Sequence, residues 1–570
     1  MRKQFSAGQK RAAVYAVLLI MGVLYYLPHL IITGIPHYPY EDGVFHLSRI
    51  IGMRNVWSSP VSFLNFHHNG LMVNLCYPWL TIYPAYLLYK IFGSYIAAYK
   101  AYYLILTVIT LFLAYDVMHQ ISGNLLSSFT FAVLYTFSSY RFENLFHRSA
   151  LGEVTAITLW LLVFLGLYHV FFGDPKRWVF LTAGMALLSY THNLSLLIAV
   201  LITGLTFLVS VRFWDEKPGR IRSLILAGST AILLSLGSLV PMLELFSANT
   251  LQIPGGTGLS LRRSVFDLPT LLGKMLRNET SAHSVGLIVF LAWVCLCLFF
   301  IAEKIKTGKL PENKSMNLFF LTGTLVLFAV SDLLPWEWIG DHTFLRQLQF
   351  VWRLNTCPTL FILAAFSLYL PQMIPSRKAV LWIAPVICIA AVGLHYRTFL
   401  VLYRMDHTRI LENYAASGDA ASMDYAPLKA KQYRDETHLP NLDGILIRSE
   451  TGMAVPLEAE ISVSPDGSVY SVVFDTPDPG NVNPAADLPV FWYASQICEL
   501  NGQTIPAGIS ERGGTLVKLD QSRTQHNEIR IFYRYTGLAR TAHILSGLTA
   551  VLLILYFGKR KRKNTQDSQS

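Results

Sequence analysis

Residues 541–557 form the apolar run TAHILSGLTAVLLILYF, and residues 558–563 continue the chain as GKRKRK. An apolar run of this length is typical of a membrane-spanning helix. Lys and Arg collect on the cytoplasmic side of spans, so the basic cluster predicts that this end of the chain is cytoplasmic. Residues 403–540 precede the span and are therefore expected on the opposite, extracytoplasmic side.

The composition extends this interpretation to the whole chain. Its 570 residues are 53% hydrophobic and only 14% charged, with a mean hydropathy of +0.41. A soluble domain carries about a quarter charged residues, so the sequence predicts a polytopic membrane protein. The net charge of +11 does not indicate nucleic-acid binding, because the basic residues cluster at the termini and in short loops. The six cysteines are scattered and fit neither a zinc site nor a disulfide framework.

The remaining apolar runs alternate with short basic loops, which is the pattern of a polytopic protein. The first run, 12–35, is too long for a signal-peptide core and is expected to remain as an anchor. Alternation puts residues 36–72 and 141–153 both outside, so an even number of spans must separate them. Three apolar segments lie between these loops: 77–92, 96–115 and 125–140. We expect the first not to cross, because it carries Pro78 and Pro84, which leaves about twelve spans.

Residues 403–540 differ in pattern from the rest of the chain. Short alternating runs at 468–474, 516–519 and 528–535 are separated by the turn signals PDG, NG and GG. The pattern predicts a small, mostly β extracytoplasmic domain, most simply a sandwich. The predicted fold class is thus an all-α transmembrane protein with a C-terminal β domain and a terminal transmembrane helix. The expected domains are residues 1–402, 403–540 and 541–570.

Polar and charged side chains collect in the predicted outer loops rather than deep in the spans. They are Glu41, Asp42, His46 and Arg49; Arg141, Glu143, His147, Arg148 and Glu153; His192 and Asn193; Arg262 and Arg263; Arg346, Gln349 and Arg353. Loops from distant parts of the sequence would then meet in one outer vestibule. This convergence is the main argument from the residues for a functional site.

The first outer loop is the richest in such residues. From Asp42 to Arg54 the chain is predicted to form a short amphipathic helix. At 3.6 residues per turn, Asp42, His46 and Arg49 share one face. An apolar stripe on the other side is expected to lie on the bilayer; it consists of Val44, Leu47 and Ile51.

Each of these residues also has a simpler interpretation. Asp42 could act only as a helix N-cap, and His46 and Arg49 could be ordinary interfacial side chains. Residues 148–153 could simply begin a helix at the interface, and residues 192–193 could cap a tight turn between helices. The pair at 262–263 could contact solvent or lipid headgroups without binding a substrate.

At these residues the chain resembles a known group of proteins. The stretch EDGVFHLSR at 41–49 resembles the first-loop acidic motif of GT-C superfamily glycosyltransferases. The closer resemblance is to the large bacterial membrane proteins of that superfamily called pyruvoyl-tetrahydropterin-synthase-related, and to the YfhO-type group. Further matching stretches, in the same order along most of the chain, are YP at 77–78 and 83–84, RSALGE at 148–153, LSYTHN at 188–193, QLQFVWR at 347–353, DYAP at 424–427 and LPVFWY at 488–493.

The resemblance implies transfer of a sugar from a polyprenyl-phosphate carrier to an extracytoplasmic glycan or envelope polymer, in the bacterial cytoplasmic membrane. It implies that the first-loop acid is a general base or a metal ligand, which puts Asp42 first and Glu41 second. A divalent cation such as Mg²⁺ or Mn²⁺ stays open. The expected donor- or substrate-binding residues are His46, Arg49, His147, Arg148, Glu153, His192, Asn193, Arg262 and Arg353.

The chemistry of these side chains suits such a transfer. A carboxylate can accept the proton of the acceptor hydroxyl, and arginines can stabilise the departing phosphate. The two alternatives are a lipid or glycolipid transporter and a non-catalytic envelope scaffold. A transporter would be expected to carry charges near the bilayer midplane and internal repeats, and the sequence has neither. A catalytically inactive scaffold would look nearly the same in sequence.

Overall fold

A computed structural model describes residues 7–36, 42–252, 261–279, 283–374, 377–404, 409–410, 424–432, 444–448, 454–476, 484–519 and 526–567. The chain is mostly helical and divides into two compact units. The first comprises residues 1–43, 96–231 and 258–411. The second comprises residues 44–95, 232–257 and 412–570. The predicted domain boundaries at 402 and 540 stay a prediction.

Eight helices within the described residues are long and apolar enough to cross a membrane. They are Gly8–Ile31, Tyr95–Ser122, Leu151–Phe171, Asn193–Phe213, Lys217–Ala248, Gly286–Thr307, Val351–Met373 and Gly537–Gly558. Shorter apolar helices cover Lys314–Ala329 and Pro385–Leu400. The predicted polytopic membrane architecture therefore agrees with the fold, while the count of about twelve spans stays a prediction.

Segment 77–92 is the one that we expect not to cross the membrane. Its helix, Tyr83–Phe92, has only ten residues. At 1.5 Å per residue this helix is about 15 Å long, roughly half the thickness of the hydrocarbon core. The segment after it contains the 28-residue helix Tyr95–Ser122, whereas Leu125–Thr136 has twelve residues. The expectation that 77–92 does not cross is therefore consistent with its length.

The first unit is a bundle built around helix Leu151–Phe171. This helix packs closely on Val179–Ser189 through two glycines, because a Cβ at Gly166 or Gly184 would meet the backbone of the partner helix. Further helices of this unit include Ala7–Ile31, Leu125–Thr136, Ser139–Phe142, Asn193–Ser210, Leu268–Leu276, Gly286–Thr307, Lys314–Ala329, Trp336–His342, Thr356–Met373 and Arg377–Arg404. Strand Ile35–Pro36 pairs antiparallel with Arg409–Ile410.

The second unit contains two antiparallel five-stranded sheets. The first has the spatial order Gly508–Ile509, Gly514–Lys518, Ala485–Phe491, Ile445–Arg448 and Ala454–Leu457. The second has the order Glu460–Val463, Val469–Asp475, His526–Tyr533, Gln496–Leu500 and Gln503–Ile505. Both sheets contribute side chains to one apolar cluster, so the fold is the predicted β sandwich. Its placement outside the membrane stays a prediction.

The apolar cluster of the sandwich also includes a segment of the first predicted loop. Phe63, Leu71 and Met72 pack among the strand residues, and the Phe63 amide donates to the Gly467 carbonyl over 2.8 Å. Gly467 has φ +79°, and a Cβ there would press on Leu64. Residues 61–76 and the two sheets therefore form one structural body, which the sequence did not suggest.

The first-loop helix differs from its prediction in extent and in surroundings. It covers Gly43–Ile51, so Asp42 precedes it, and a 3₁₀ turn follows at Gly52–Asn55. Leu47 and Ile51 are buried in protein, so the expectation that this stripe lies on the bilayer is wrong. Helix amphipathicity shows that a face is covered but does not identify what covers it.

Candidate active site

Four charged side chains of the first unit form a connected chain of ion pairs, here called the Asp42 cluster. Arg148 Nη2 lies 2.6 Å from Asp42 Oδ2, and Arg148 Nη1 lies 2.6 Å from Glu153 Oε2. Glu153 Oε1 lies 2.7 Å from Arg353 Nε. The Asp42 cluster therefore alternates two carboxylates with two guanidinium groups, and Glu153 bridges the two arginines.

An irregular stretch of backbone holds Arg148 at the centre of the cluster. Residues Glu143–His147 form a π-helix, and Ser149 has φ +53°. π-Helical turns and positive-φ residues other than glycine concentrate at functional sites. Helix Leu151–Phe171 starts immediately afterwards and carries Glu153 in its first turn, where the helix dipole favours a carboxylate.

Backbone and side-chain contacts fix both arginines. The Asp42 amide donates to the Arg148 carbonyl over 3.1 Å, and Arg148 Nη1 also donates to Asn144 Oδ1 over 2.8 Å. Arg353 Nη1 donates to Gln349 Oε1 over 2.6 Å, and Gln349 has φ +61°. Arg148 and Arg353 are thus rigidly placed, with 9% and 10% of their side-chain surfaces exposed.

An aromatic side chain lies against both arginines. The Trp352 ring centre is 4.6 Å from Arg148 Cζ and 5.5 Å from Arg353 Cζ, both within cation–π range. His283 stacks on the same indole at 4.1 Å and 11°, and its ring contacts the buried carboxylate of Glu143. Sequence reasoning missed Trp352 and His283 as site residues, although Trp352 directly precedes Arg353 in a stretch already singled out.

His192 reaches the cluster while it also caps a helix. Its Nδ1 accepts the amide of Ser195 over 3.3 Å at the start of helix Asn193–Ser210, as the simpler interpretation expected. Its Nε2 lies 3.9 Å from Glu153 Oε1. The capping interpretation of His192 is therefore confirmed, and its role in substrate binding stays a prediction, as does that of Asn193, the first residue of the helix.

Asp42 lies at one end of the cluster and is the most exposed of its four side chains. Its side chain is 39% exposed, whereas that of Glu153 is 7% exposed. Among the described residues Oδ1 of Asp42 accepts no hydrogen bond, and Oδ2 binds Arg148 rather than the helix that follows. Protein packed around the group raises the pKa of the Asp42 carboxyl, and Arg148 opposes that rise without cancelling it. Asp42 thus has a partly exposed side chain, one oxygen that accepts no hydrogen bond among the described residues, and an enhanced affinity for a proton.

The carboxylates of Glu153 and Asp42 stabilise the positive charge of Arg148. Burial by itself lowers the pKa of its guanidinium, but the carboxylates of Glu153 and Asp42 outweigh burial and raise it. His147 differs, because burial, His283 and Arg148 lower the pKa of its imidazole to about 4. At neutral pH His147 is uncharged and adds no positive charge for a phosphate.

His46 and Arg49 lie inside the second unit, so the expectation that they face an open vestibule is wrong. Both side chains are buried. Arg49 Nη2 donates to the carbonyls of Tyr77 and Pro78 over 2.8 and 2.7 Å, and its guanidinium lies 4.3 Å from the Tyr77 ring centre. A role of either residue in donor binding stays a prediction.

Two further predicted residues have different outcomes. Arg262 is exposed in the 3₁₀ turn Leu261–Ser264 and donates to the Val265 carbonyl over 3.2 Å. Glu41, the second candidate for the catalytic acid, lies outside the described residues. The structure therefore brings together Asp42, Arg148, Glu153, His192 and Arg353 from the predicted set.

The donor set of the Asp42 cluster does not fit a resident divalent cation. Mg²⁺ and Mn²⁺ require several uncommitted oxygen ligands. Three of the four carboxylate oxygens here bind arginines. No group of three His, Cys, Asp or Glu among the described residues could hold a metal ion.

Comparison with solved structures gives nine matching chains, among them two distant likenesses. The mycobacterial arabinofuranosyltransferase AftD is 16% identical with a TM-score of 0.43, over 70% of this chain and 28% of that chain. ArnT from Cupriavidus metallidurans, solved with undecaprenyl phosphate, is 13% identical with a TM-score of 0.41, over 73% and 76%. This chain thus spans little more than a quarter of the length of AftD. No protein-family model and no curated protein gives a significant match.

Neither likeness assigns a substrate to this chain or a role to any of its residues.

Proposed function

We propose that this protein is a membrane glycosyltransferase that moves a sugar from a polyprenyl-phosphate carrier to an extracytoplasmic glycan or envelope polymer. Its place would be the bacterial cytoplasmic membrane, with the active site on the extracytoplasmic face. The observation that carries the proposal is the geometry of Asp42. One carboxylate oxygen is held by a fixed arginine, and the other is open to an incoming molecule.

The proposed reaction is a displacement at the anomeric carbon of the donor sugar. The acceptor hydroxyl oxygen forms a bond to that carbon while its proton passes to Asp42. The bond between the anomeric carbon and the phosphate oxygen breaks, and polyprenyl phosphate leaves with the electron pair. Accepting the proton is general-base catalysis, and a raised pKa makes Asp42 a better base.

Arg148 and Arg353 would stabilise the charge on the departing phosphate. Both guanidinium groups are fixed before substrate arrives, so they need little reorganisation as charge develops. Nη2 of Arg353 donates no hydrogen bond among the described residues, which leaves it available for an oxygen of the donor. Glu153 would act as a positioning residue, because it holds both arginines without an exposed oxygen of its own.

Positive charge from the arginines would take the part that a metal ion plays in other transferases. Asp42 and Glu153 are already paired with Arg148 and Arg353, so the proposal includes no step through Mg²⁺ or Mn²⁺. The β sandwich would position the acceptor. Because its core includes residues 61–76, deleting the sandwich would expose apolar side chains of the first loop, so point variants are needed to test this role.

Asp42→Asn tests the proposal most directly. The amide keeps the size of the side chain and can still cap a helix, but it cannot accept the proton. Sugar transfer in proteoliposomes with polyprenyl-phosphate-sugar and a candidate acceptor should fall on the order of a hundredfold or more. Asp116→Asn is the matched control, since Asp116 is also paired with an arginine, Arg11, and should leave transfer unchanged.

The outcomes separate the alternatives. Near-full transfer by Asp42→Asn would discard Asp42 as the base and leave Glu41 or Glu153 as candidates; Glu41→Gln is expected to be milder than Asp42→Asn. Movement of the lipid across the bilayer without any transfer by the wild type would favour a transporter instead. Binding of an envelope polymer with neither activity would favour a scaffold.

A further inference from the structure

Helix Tyr83–Phe92 in the second unit carries an exposed apolar face. The exposed side-chain fractions are 49% for Leu87, 73% for Ile91 and 51% for Phe92. Leu87 and Ile91 are four residues apart and share one face, while Ala85 and Tyr86 are buried on the other. A helix with one covered face and one apolar exposed face needs an apolar environment on the exposed side.

Aromatic side chains extend this face at its N-terminal end. Trp57 is 63% exposed, and its ring centre lies 4.7 Å from that of Trp79 and 5.4 Å from that of Tyr83. Tryptophan and tyrosine concentrate at membrane–water interfaces, where an apolar ring and a polar edge are both accommodated. Lys90 is exposed beside the apolar face, and its ammonium lies 5.5 Å from the Tyr86 ring centre. A lysine in this position can keep its charge in water while its stem contacts lipid.

The connection to the next helix determines the height of this face relative to the bilayer. Helix Tyr83–Phe92 ends at Gly93, which has φ +68°, and the candidate span Tyr95–Ser122 begins two residues later. The rings of Tyr89 and Tyr95 stack across this turn at 3.9 Å and 4°. A helix of about 15 Å that turns directly into a span cannot cross the membrane itself and ends where the span enters.

We propose that helix Tyr83–Phe92, together with Trp57, lies in the bilayer interface with its apolar face against phospholipid acyl chains. The occupant of this face is lipid rather than a second copy of the chain, because its tryptophan, tyrosine and lysine pattern is that of an interface and because it leads directly into a span. The helix belongs to the same compact unit as the two β sheets. It therefore anchors that unit to the membrane surface, whether or not the proposed transfer reaction is correct.

Photo-crosslinking from position 91 identifies the occupant. The photoreactive amino acid p-benzoylphenylalanine replaces Ile91 in the full-length protein, which is placed in phosphatidylcholine nanodiscs and irradiated. Mass spectrometry should find phospholipid adducts on the peptide that contains residue 91. The same amino acid at Ile554, exposed on the terminal span, is the positive control, and at Val455, exposed on a strand, the negative control.

Each outcome decides the matter. Lipid adducts at positions 91 and 554 but not at 455 support the interfacial helix. A crosslinked dimer at 91 would assign the face to a second copy, and adducts at 554 alone would show that lipid does not reach the helix; either result overturns the proposal. Position 91 is exposed, so the replacement is not expected to impair folding.

Discussion

Two of the clusters in which arginines meet acids, among the residues that the structure describes, are built differently. In the β sandwich, Asp487 Oδ1 lies 3.0 Å from Arg512 Nε and Asp487 Oδ2 lies 2.9 Å from Arg448 Nε. The carboxylate is 0% exposed and both oxygens are committed. In the Asp42 cluster, the terminal carboxylate is 39% exposed and only one of its oxygens is committed.

The difference distinguishes a structural ion pair from the proposed catalytic site. A buried carboxylate with both oxygens bound offers no atom to a substrate, and removing it leaves charged partners without compensation. A carboxylate with one fixed and one open oxygen is oriented but still available to accept a proton. Alternating charge by itself is therefore no reason to propose an active site, and the proposal for Asp42 depends on its uncommitted oxygen.

The largest expected effect on stability is that of Asp487→Asn. The substitution leaves Arg512 buried without its carboxylate, and Arg448 keeps only Glu511. Loss of one partner of a buried pair costs ~3–5 kcal/mol. Thermal unfolding of the purified protein in detergent should start at a lower temperature, while transfer per folded molecule stays at the wild-type level. Asp42→Asn should instead keep the unfolding temperature of the wild type and lose transfer. Equal loss of stability in both variants would contradict the distinction between the Asp487 pair and the Asp42 cluster.

The second prediction concerns the pH dependence of transfer. A general base must be deprotonated, so kcat/KM should decline as pH falls through the pKa of Asp42. Arg148 lowers that pKa. In Arg148→Gln the pKa of Asp42 should therefore rise further. The acidic limb of the pH profile should then move to higher pH, independently of any change in the maximal rate. Kinetics of the variant across pH, with Arg11→Gln as the control at another Arg–Asp pair, provide the measurement. An unmoved limb would show that Asp42 is not the titrating base.

Sequence reasoning anticipated the parts of the molecule that depend on local pattern. The turn signals at 465–467 and 501–502 place positive-φ glycines between paired strands, because Gly467 and Gly502 both have φ +79°. Polar residues at 148–153 and at 353 were correctly expected to converge. Their pairing was not foreseen, since Glu153 and Arg353 are 200 residues apart and meet only through helix packing.

The errors also have physical causes. The expectation of a shared face for Asp42, His46 and Arg49 assumed a helix from residue 42, whereas the helix starts at Gly43. Amphipathicity correctly indicated a covered stripe at Leu47 and Ile51, but protein rather than lipid covers it. The lipid-facing candidate is instead Tyr83–Phe92, where exposure of the apolar side chains can be seen only in the fold.

The third prediction sharpens the comparison within the Asp42 cluster. Trp352 lies against Arg148 and also stacks on His283, so we expect His283 to act as a positioning residue. His283→Ala should raise the KM for the donor roughly two- to tenfold, as expected for loss of one aromatic stack, with a smaller change in kcat. His283→Phe keeps the stack but not the contact with Glu143 and should restore most of the donor affinity. Equal defects in both variants would assign the effect to the Glu143 contact instead.

The smallest expected effect is that of metal removal. Divalent cations stabilise departing phosphates in many transferases, but here Asp42 Oδ2 and both oxygens of Glu153 bind arginines. A cation would have to displace those guanidinium groups, and the like charges of Arg148 and Arg353 would repel it. Transfer in proteoliposomes treated with EDTA should therefore continue at the untreated rate, and added Mg²⁺ or Mn²⁺ should not increase it. Loss of transfer on chelation, restored by one of these ions, would show that a cation stabilises the departing phosphate. The Asp42 cluster would then need an ion ligand beyond its described residues, and Glu41, the neighbour of Asp42, would be the first residue to substitute.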